Sequence, residues 1–370
     1  MRFSTSKNSV SVKVLVALSA MGATGIASAQ SSSTQAATAA AVGESIGNPN
    51  LNKGLISATL GKIGVSSAVT TANAVAGAIP TGGGGGFAAL PAGINRFALP
   101  GQGGTGAAAA PGGKAWNAWF GYSRSDIAYE YNPMKSDGNV DVYLAGVDYT
   151  LKSDIVIGLA ISVDRSDIDL KGTNFGVGGG KMKGRGTTYS PYVGIPINQN
   201  WSADITAGWG QTDVDTKLAA GGGTRGKTED DRTLFTAGLT YRQLFGADQK
   251  WMLTGRGGYI YVKDKLGAYT MTNGGGVVQS AEVTVSQVRF GGQAAYNMGM
   301  FVPYAGLTYI YDFKESNVIG AANDTDGMQG TLGIRFSAPS GLYGGLQYSS
   351  EFSRSQIKNN QWMLNLGSRF

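Results

Sequence analysis

Residues 145–163 read AGVDYTLKSDIVIGLAISV. With a period of two, Ala145, Val147, Tyr149 and Leu151 fall on one face, and Gly146, Asp148 and Thr150 on the other. After Lys152-Ser153-Asp154, the residues Ile155, Ile157, Leu159, Ile161 and Val163 share a face opposite Gly158, Ser162 and Asp164. Two strands joined by a short turn produce this pattern. In a soluble sandwich the apolar face points inward. In a membrane barrel it points to lipid, and the small and polar face lines the lumen. Alternation alone does not separate the two.

Connection lengths do. About 12 strands begin near Trp116, Asn139, Ile155, Lys183, Trp201, Arg232, Trp251, Ala281, Met300, Thr325, Gly341 and Gln356. Short turns near 152–154, 197–200, 245–250, 297–300 and 338–341 alternate with longer polar or Gly-rich connections near 126–138, 171–182, 213–231, 267–280 and 312–324. An even strand number with short turns at one end and long loops at the other is the layout of an outer-membrane barrel, and a sandwich has no such rhythm. The fold expected for 115–370 is therefore all-β, an antiparallel transmembrane barrel. Beyond the N-terminus no uncharged apolar stretch is long enough for a membrane helix, which leaves strands as the means of crossing lipid. Trp116, Trp119, Trp201, Trp251, Tyr149, Tyr192, Tyr241, Tyr343 and Phe370 stand near strand ends, which suggests two aromatic girdles at headgroup level.

Upstream, the composition changes. All 17 Tyr and all six Trp lie beyond Lys114, so 30–114 is an Ala/Gly-rich arm too poor in large apolar groups to build a core. It contains one helical spacing: Leu51, Leu55, Ala58, Lys62, Val65, Ala68, Ala72, Val75 and Ile79, with Asn50 as a start and Pro80 as a stop. Gly54, Gly61 and Gly64 oppose that helix. Residues 1–29 read as a Sec signal peptide. They carry Arg2, Lys7 and Lys13, an apolar run over 14–20, and a small-x-small site at Ala27 and Ala29, so the mature chain begins at Gln30. These two segments hold the surplus of basic residues, and 115–370 is charge-balanced. The pI of about 9.2 therefore does not argue for nucleic acid.

The chain has no His and no Cys, which excludes Ser-His-Asp and Cys-His nucleophile systems and His/Cys zinc sites. No enzyme activity and no cofactor are expected. Residues 221–228 read GGGTRGKT, a literal phosphate-loop string, but an alternating strand follows where that motif needs a helix. Residues 176–181 (GVGGGK) lack a helix too. Asp167/Asp169 and Asp213/Asp215 are rim carboxylates, too few to enclose calcium. Asp148, Asp164, Arg256, Arg289 and Arg335 have lumen parity. They are candidates for an ion ladder beside a threaded segment, or for paired charges that stiffen the wall.

From Ala115 to Phe370 the chain resembles the β-domain of autotransporters, the type V secretion translocators. The resemblance rests on the aromatic strand from Trp116 to Tyr122, Gly146-Val147-Asp148, the Ser-Asp turn into Gly158-Leu159-Ala160, Gly208-Trp209-Gly210 in the strand from Trp201, and a closing strand that ends in Phe. It implies 12 strands and a helix in the pore. It also implies that Trp362, Leu364, Leu366 and Phe370 form the signal read by the barrel-assembly machinery, although Ser368 stands where an aromatic is usual. The partners expected are outer-membrane lipid, the Sec translocon and that machinery, for a monomeric barrel. Family passengers are long β-helical repeats, whereas only a short arm is present here. Three roles stay open: translocator or anchor for the N-terminal segment, porin-like channel, and surface antigen or adhesin acting through loops such as 171–182 and 213–231.

Overall fold

Each wall strand pairs antiparallel with its sequence neighbour, and the last pairs with the first. The computed structural model describes residues 49–78 and 115–370, except 131–133, 152–153, 173–178, 199, 219–222, 273–276, 317–324, 339 and 341. The export signal with Ala27 and Ala29, the remaining arm and the Pro80 stop lie outside the described residues.

The elements are α1 (Pro49–Ala78), β1 (Trp116–Tyr129), β2 (Met134–Thr150), β3 (Val156–Gly172), β4 (Gly180–Pro196), β5 (Trp201–Leu218), β6 (Arg225–Phe245) and β7 (Trp251–Leu266). A small hairpin follows, β8 (Tyr269–Thr270) and β9 (Val277–Val278), and then β10 (Ala281–Tyr296), β11 (Phe301–Ser316), β12 (Asp326–Ser337), β13 (Leu342–Phe352) and β14 (Ile357–Arg369). Apart from β8 and β9, these are the twelve strands of a closed barrel. The even number brings both ends to the short-turn side. Trp116 N–H donates to Phe370 O at 3.2 Å, and Phe370 N–H returns to Trp116 O at 3.0 Å. The seam runs in register from Asn117↔Arg369 to Tyr129↔Ile357, so no edge is left open.

The strands are longer than the sequence pattern suggests. The connection expected over 213–231 is largely strand, and the one over 171–182 is strand at both ends: β3 ends at Gly172, β4 starts at Gly180, β5 ends at Leu218 and β6 starts at Arg225. A tilted strand crosses lipid in about 9–11 residues, so the wall continues well past it. The reason the pattern hides this lies in β3. On the lower half Ile157, Leu159 and Ile161 face out and Ser162 and Asp164 face in. Higher up Ile168 and Leu170 face in, and Asp167 and Asp169 turn outward into ion pairs with Lys181 and Lys183. Strand parity never changes, but the side that must be apolar does. Below the boundary the solvent outside is lipid; above it the solvent is water, and the apolar residues move inside. β5 repeats the switch, with Ile205 and Trp209 exposed low on the strand and Val214 and Leu218 buried high.

Aromatic pairs mark the lipid edges. Trp116–Tyr149, Trp201–Tyr241 and Trp251–Tyr296 are directly cross-strand at the short-turn end, with ring centroids 4.9–5.0 Å apart. Each such contact adds about 0.5–1.5 kcal/mol beyond burial. Trp119, Tyr192 and Tyr343 do not belong to this girdle: all three are buried inside. Nearness to a turn did not reveal which face they occupy.

Candidate functional site

The interior is occupied by α1. At about 1.5 Å per residue its 30 residues extend about 45 Å, enough to run the depth of the barrel. It is not apolar enough to cross a membrane by itself. Leu60, Ile63, Ser66, Ser67, Ala68, Thr70, Thr71 and Ala72 are all buried, although they point in every direction around the axis. A helix enclosed on all sides needs no polar face. Burial of Leu60 and Ile63 contributes about 1.5–3 kcal/mol each.

Two of the three glycines that argue against the helix from sequence, Gly61 and Gly64, are what lets it fit. A Cβ on Gly61 would stand 2.9 Å from Val283 Cγ1. On Gly64 it would stand 2.6 Å from Asp264 Oδ2 and 2.7 Å from Val262 Cγ1. The opposite side of α1 meets the β1/β14 seam through hydroxyls. Ser66 Oγ and Ser125 Oγ are 3.0 Å apart, Thr70 Oγ1 and Ser123 Oγ 3.1 Å, and Gln361 Nε2 donates to Thr70 Oγ1 at 3.1 Å. Short hydroxyls can donate or accept, so this contact satisfies buried polar atoms with little shape specificity.

Charged groups ring the helix in separate clusters. Arg232 donates to Asp164 at 3.0 Å and to Asp264 at 2.9 Å, all three buried. Arg256 holds Asp204 through two N–H groups, at 2.7 and 2.9 Å. Arg354 donates to Asp312 at 2.8 Å and lies 3.0 Å from Glu351, while Lys62 of α1 lies 3.7 Å from Asp312. At the short-turn end Asp148 accepts from Asn117 at 2.9 Å and from Tyr192 at 2.8 Å, Trp119 donates to Tyr192 Oη at 3.1 Å, and Tyr343 donates to Asn117 Oδ1 at 2.9 Å. Gly146 and Gly158 leave room for the Trp119 and Tyr192 rings, since a Cβ at either would collide with them. At the outer rim, beyond the lipid span, the hydrogen bond from Lys135, with Lys358 beside it, holds the Glu130 carboxyl below its ordinary pKa.

The outer mouth is closed by an apolar cap. Tyr269, Met271 and Val278, from the hairpin after β7, pack with Leu60 and Ile63 of α1 and with Ile168, Leu170, Met182 and Leu218 of the wall. The hairpin is pinned to β6, with Arg225 N–H donating to Thr272 Oγ1 at 2.9 Å.

Asp148, Asp164, Arg256, Arg289 and Arg335 all face inward, but they sit in different clusters, and the structure does not join them into one ladder. Trp362, Leu364, Leu366 and Phe370 face outward. Residues not singled out from sequence carry as much of the interior: Arg232, Asp264, Asp204, Asp312, Arg354, Glu351, Ser123 and Ser125. Parity alone was available for Arg232, which is in phase with Thr236 and Thr240 and opposite the exposed Leu239.

Among solved structures, the chain is similar to the translocator domain of the autotransporter NalP from Neisseria meningitidis, with 13% identity and a TM-score of 0.58 over 70% of this chain and 90% of that one. It is similar to the β-domain of the Bordetella autotransporter BrkA, with 17% identity and a TM-score of 0.57 over 69% of this chain and all of that one. The transport unit of AIDA-I from Escherichia coli gives 13% identity and a TM-score of 0.57 over 68% and 90%. These likenesses show the fold. Comparison with curated proteins returns no match. The family model described as autotransporter beta-domain matches residues 113–345. A barrel with this span, closed by β1 on β14 around an upstream helix, belongs to the autotransporter β-domain family, whose members are translocator barrels of the outer membrane.

Proposed function

We propose that the barrel serves as translocator and anchor for its own N-terminal segment, with α1 as the part of the chain retained in the pore. The observation that carries this is the enclosure and direction of α1. Lys62 reaches Asp312, near the long-loop end of β11, and Ile63 packs into the outer cap, whereas Asn73 lies lower, beside Thr236 and Thr254. Short turns mark the periplasmic end. The helix therefore runs from the outer side inward, the direction an exported upstream segment requires. Along the β1/β14 seam α1 meets hydroxyls and an amide, which hold a chain without demanding one sequence. The role is conduit and scaffold rather than catalysis.

The test places a tag near Gln30 in intact cells exposed to external protease. Loss of the tag together with cuts in the outer loops is expected. A tag that stays protected while those loops are cut overturns export.

We further propose that Trp362, Leu364, Leu366 and Phe370 form the signal for the barrel-assembly machinery. Their apolar outward face along the closing strand β14 supports this. Deleting Phe370 is expected to lower the amount of heat-modifiable barrel several-fold at unchanged synthesis. An unchanged amount rejects the assignment.

A further inference from the structure

The lumen is divided by charge. On one side of the lumen six cationic side chains, Lys62 of α1, Arg242 of β6, Arg256 of β7, Arg289 of β10, Arg335 of β12 and Arg354 just after β13, accompany three carboxylates, Asp204, Asp312 and Glu351, while β6 and β7 also carry the group of Asp230, Arg232 and Asp264. The carboxylates Asp164, Asp230 and Asp264 gather around the single Arg232. On the cationic side Arg256 is neutralised by Asp204. Arg289 and Arg335 are not neutralised in this way. Arg289 donates to the amide oxygen of Gln329 at 2.7 Å, and Arg335 to that of Gln293 at 2.9 Å. The Tyr304 ring lies 4.3 Å from the Arg335 guanidinium carbon, and the Nε and Nη1 of this buried arginine have no hydrogen-bond partner. A glutamine oxygen satisfies a donor but brings no negative charge.

Beside Arg289 is a cavity of about 140 Å³. Arg256, Arg289, Gln293, Gln329, Thr254 and Thr308 line it, and Val69, Ala72 and Asn73 of α1 form its other side. It exists because Gly258, Gly291 and Gly306 stand at inward positions of β7, β10 and β11, where any side chain would project into it. The space is polar and large enough for several waters or a hydrated ion. Arg335 is buried with no carboxylate in contact, and half-buried Arg289 has Glu351 and Asp312 only at longer range, so a mobile anion is a further means of balancing the two.

We propose that this cavity is a binding site for a small inorganic anion of chloride size, held against Arg289 by the Gln329 and Gln293 frame and by the field of Arg335. The threonine hydroxyls complete its shell as donors. The site is a property of the folded barrel with α1 in place, and it stands whether or not the upstream segment is exported. Its occupant neutralises the surplus that two amide partners leave, so anion binding and packing of α1 against this wall reinforce each other.

The experiment is chloride-35 NMR line broadening on the full chain folded in detergent. Wild type is expected to broaden the chloride line saturably. Arg289→Gln is expected to weaken chloride binding about ten-fold or more, the loss of one charge-assisted hydrogen bond. Gln329→Glu, nearly isosteric, brings a carboxylate to Arg289 and is expected to displace chloride to the same degree while heat-modifiable migration is retained. Arg165→Gln removes the same charge from the exposed outer face and is expected to change nothing. Absence of saturable broadening in wild type overturns the proposal. So does broadening that survives in both Arg289→Gln and Gln329→Glu.

Discussion

Arg232→Met is expected to lose most of the folded, heat-modifiable barrel. Arg232 is the cation between Asp164 and Asp264, and all three side chains are cut off from solvent. Removing one partner of a buried pair strands the other at a cost of about 3–5 kcal/mol. Here two carboxylates are stranded, with a third buried one, Asp230, in electrostatic reach. The three groups join β3 to β6 and β7 across the lumen, so the loss falls on closure of the barrel rather than on one hairpin. A second variant separates charge from packing. Arg232→Met combined with Asp164→Asn and Asp264→Asn removes the stranded charges and is expected to recover most of the folded form. Gel migration before and after boiling, with a urea titration of the unboiled sample, measures both. A single variant as stable as wild type would sink the account.

The second large effect concerns the helix. Gly61→Leu together with Gly64→Leu is expected to expel α1 from the lumen and leave the wall folded. Helix propensity favours the substitutions by about 1 kcal/mol per site. Packing opposes them: Leu at 64 meets Asp264 and Val262, Leu at 61 meets Val283, and over-packing costs about 1–3 kcal/mol per site. The wall is held by twelve paired strands and cannot give way to a helix that touches it on all sides, so packing decides. In planar bilayers the single-channel conductance of the double variant is expected to rise several-fold over wild type, towards that of a chain lacking 49–78. Conductance equal to wild type, with α1 still protected from protease, would show that the glycines are not needed for the fit.

Much of this architecture was legible because strand parity is a local property. Ile157, Leu159 and Ile161 announce an outward face, and Asp164 an inward one, without reference to any other strand. The same reading stopped at Arg165, where water replaces lipid outside. Beyond it Asp167 and Asp169 no longer mark the lumen side, and 171–182 looked like loop. It also placed Trp119, Tyr192 and Tyr343 in a girdle, because nearness to a turn was used where parity relative to the seam was needed. Gly61 and Gly64 looked like defects in a helix, since nothing local to α1 shows that Val283 and Asp264 will press against it.

The sequence by itself determined that 115–370 crosses lipid as about 12 strands, that its lipid face is apolar and its lumen face small and polar, and that no His or Cys is available for chemistry. Those features follow from a two-residue repeat and from composition, and neither depends on distant contacts. Only the tertiary structure decided who meets whom. Asp164 finds Arg232 across 68 residues, Gln361 finds Thr70 across 291, and the cation-rich wall leaves Arg289 and Arg335 with amide partners. Closing the sheet sets which strands face each other across the lumen and at what height. The barrel's outline is therefore written locally, while the fit of α1 and the charge balance of the pore arise only when β14 meets β1.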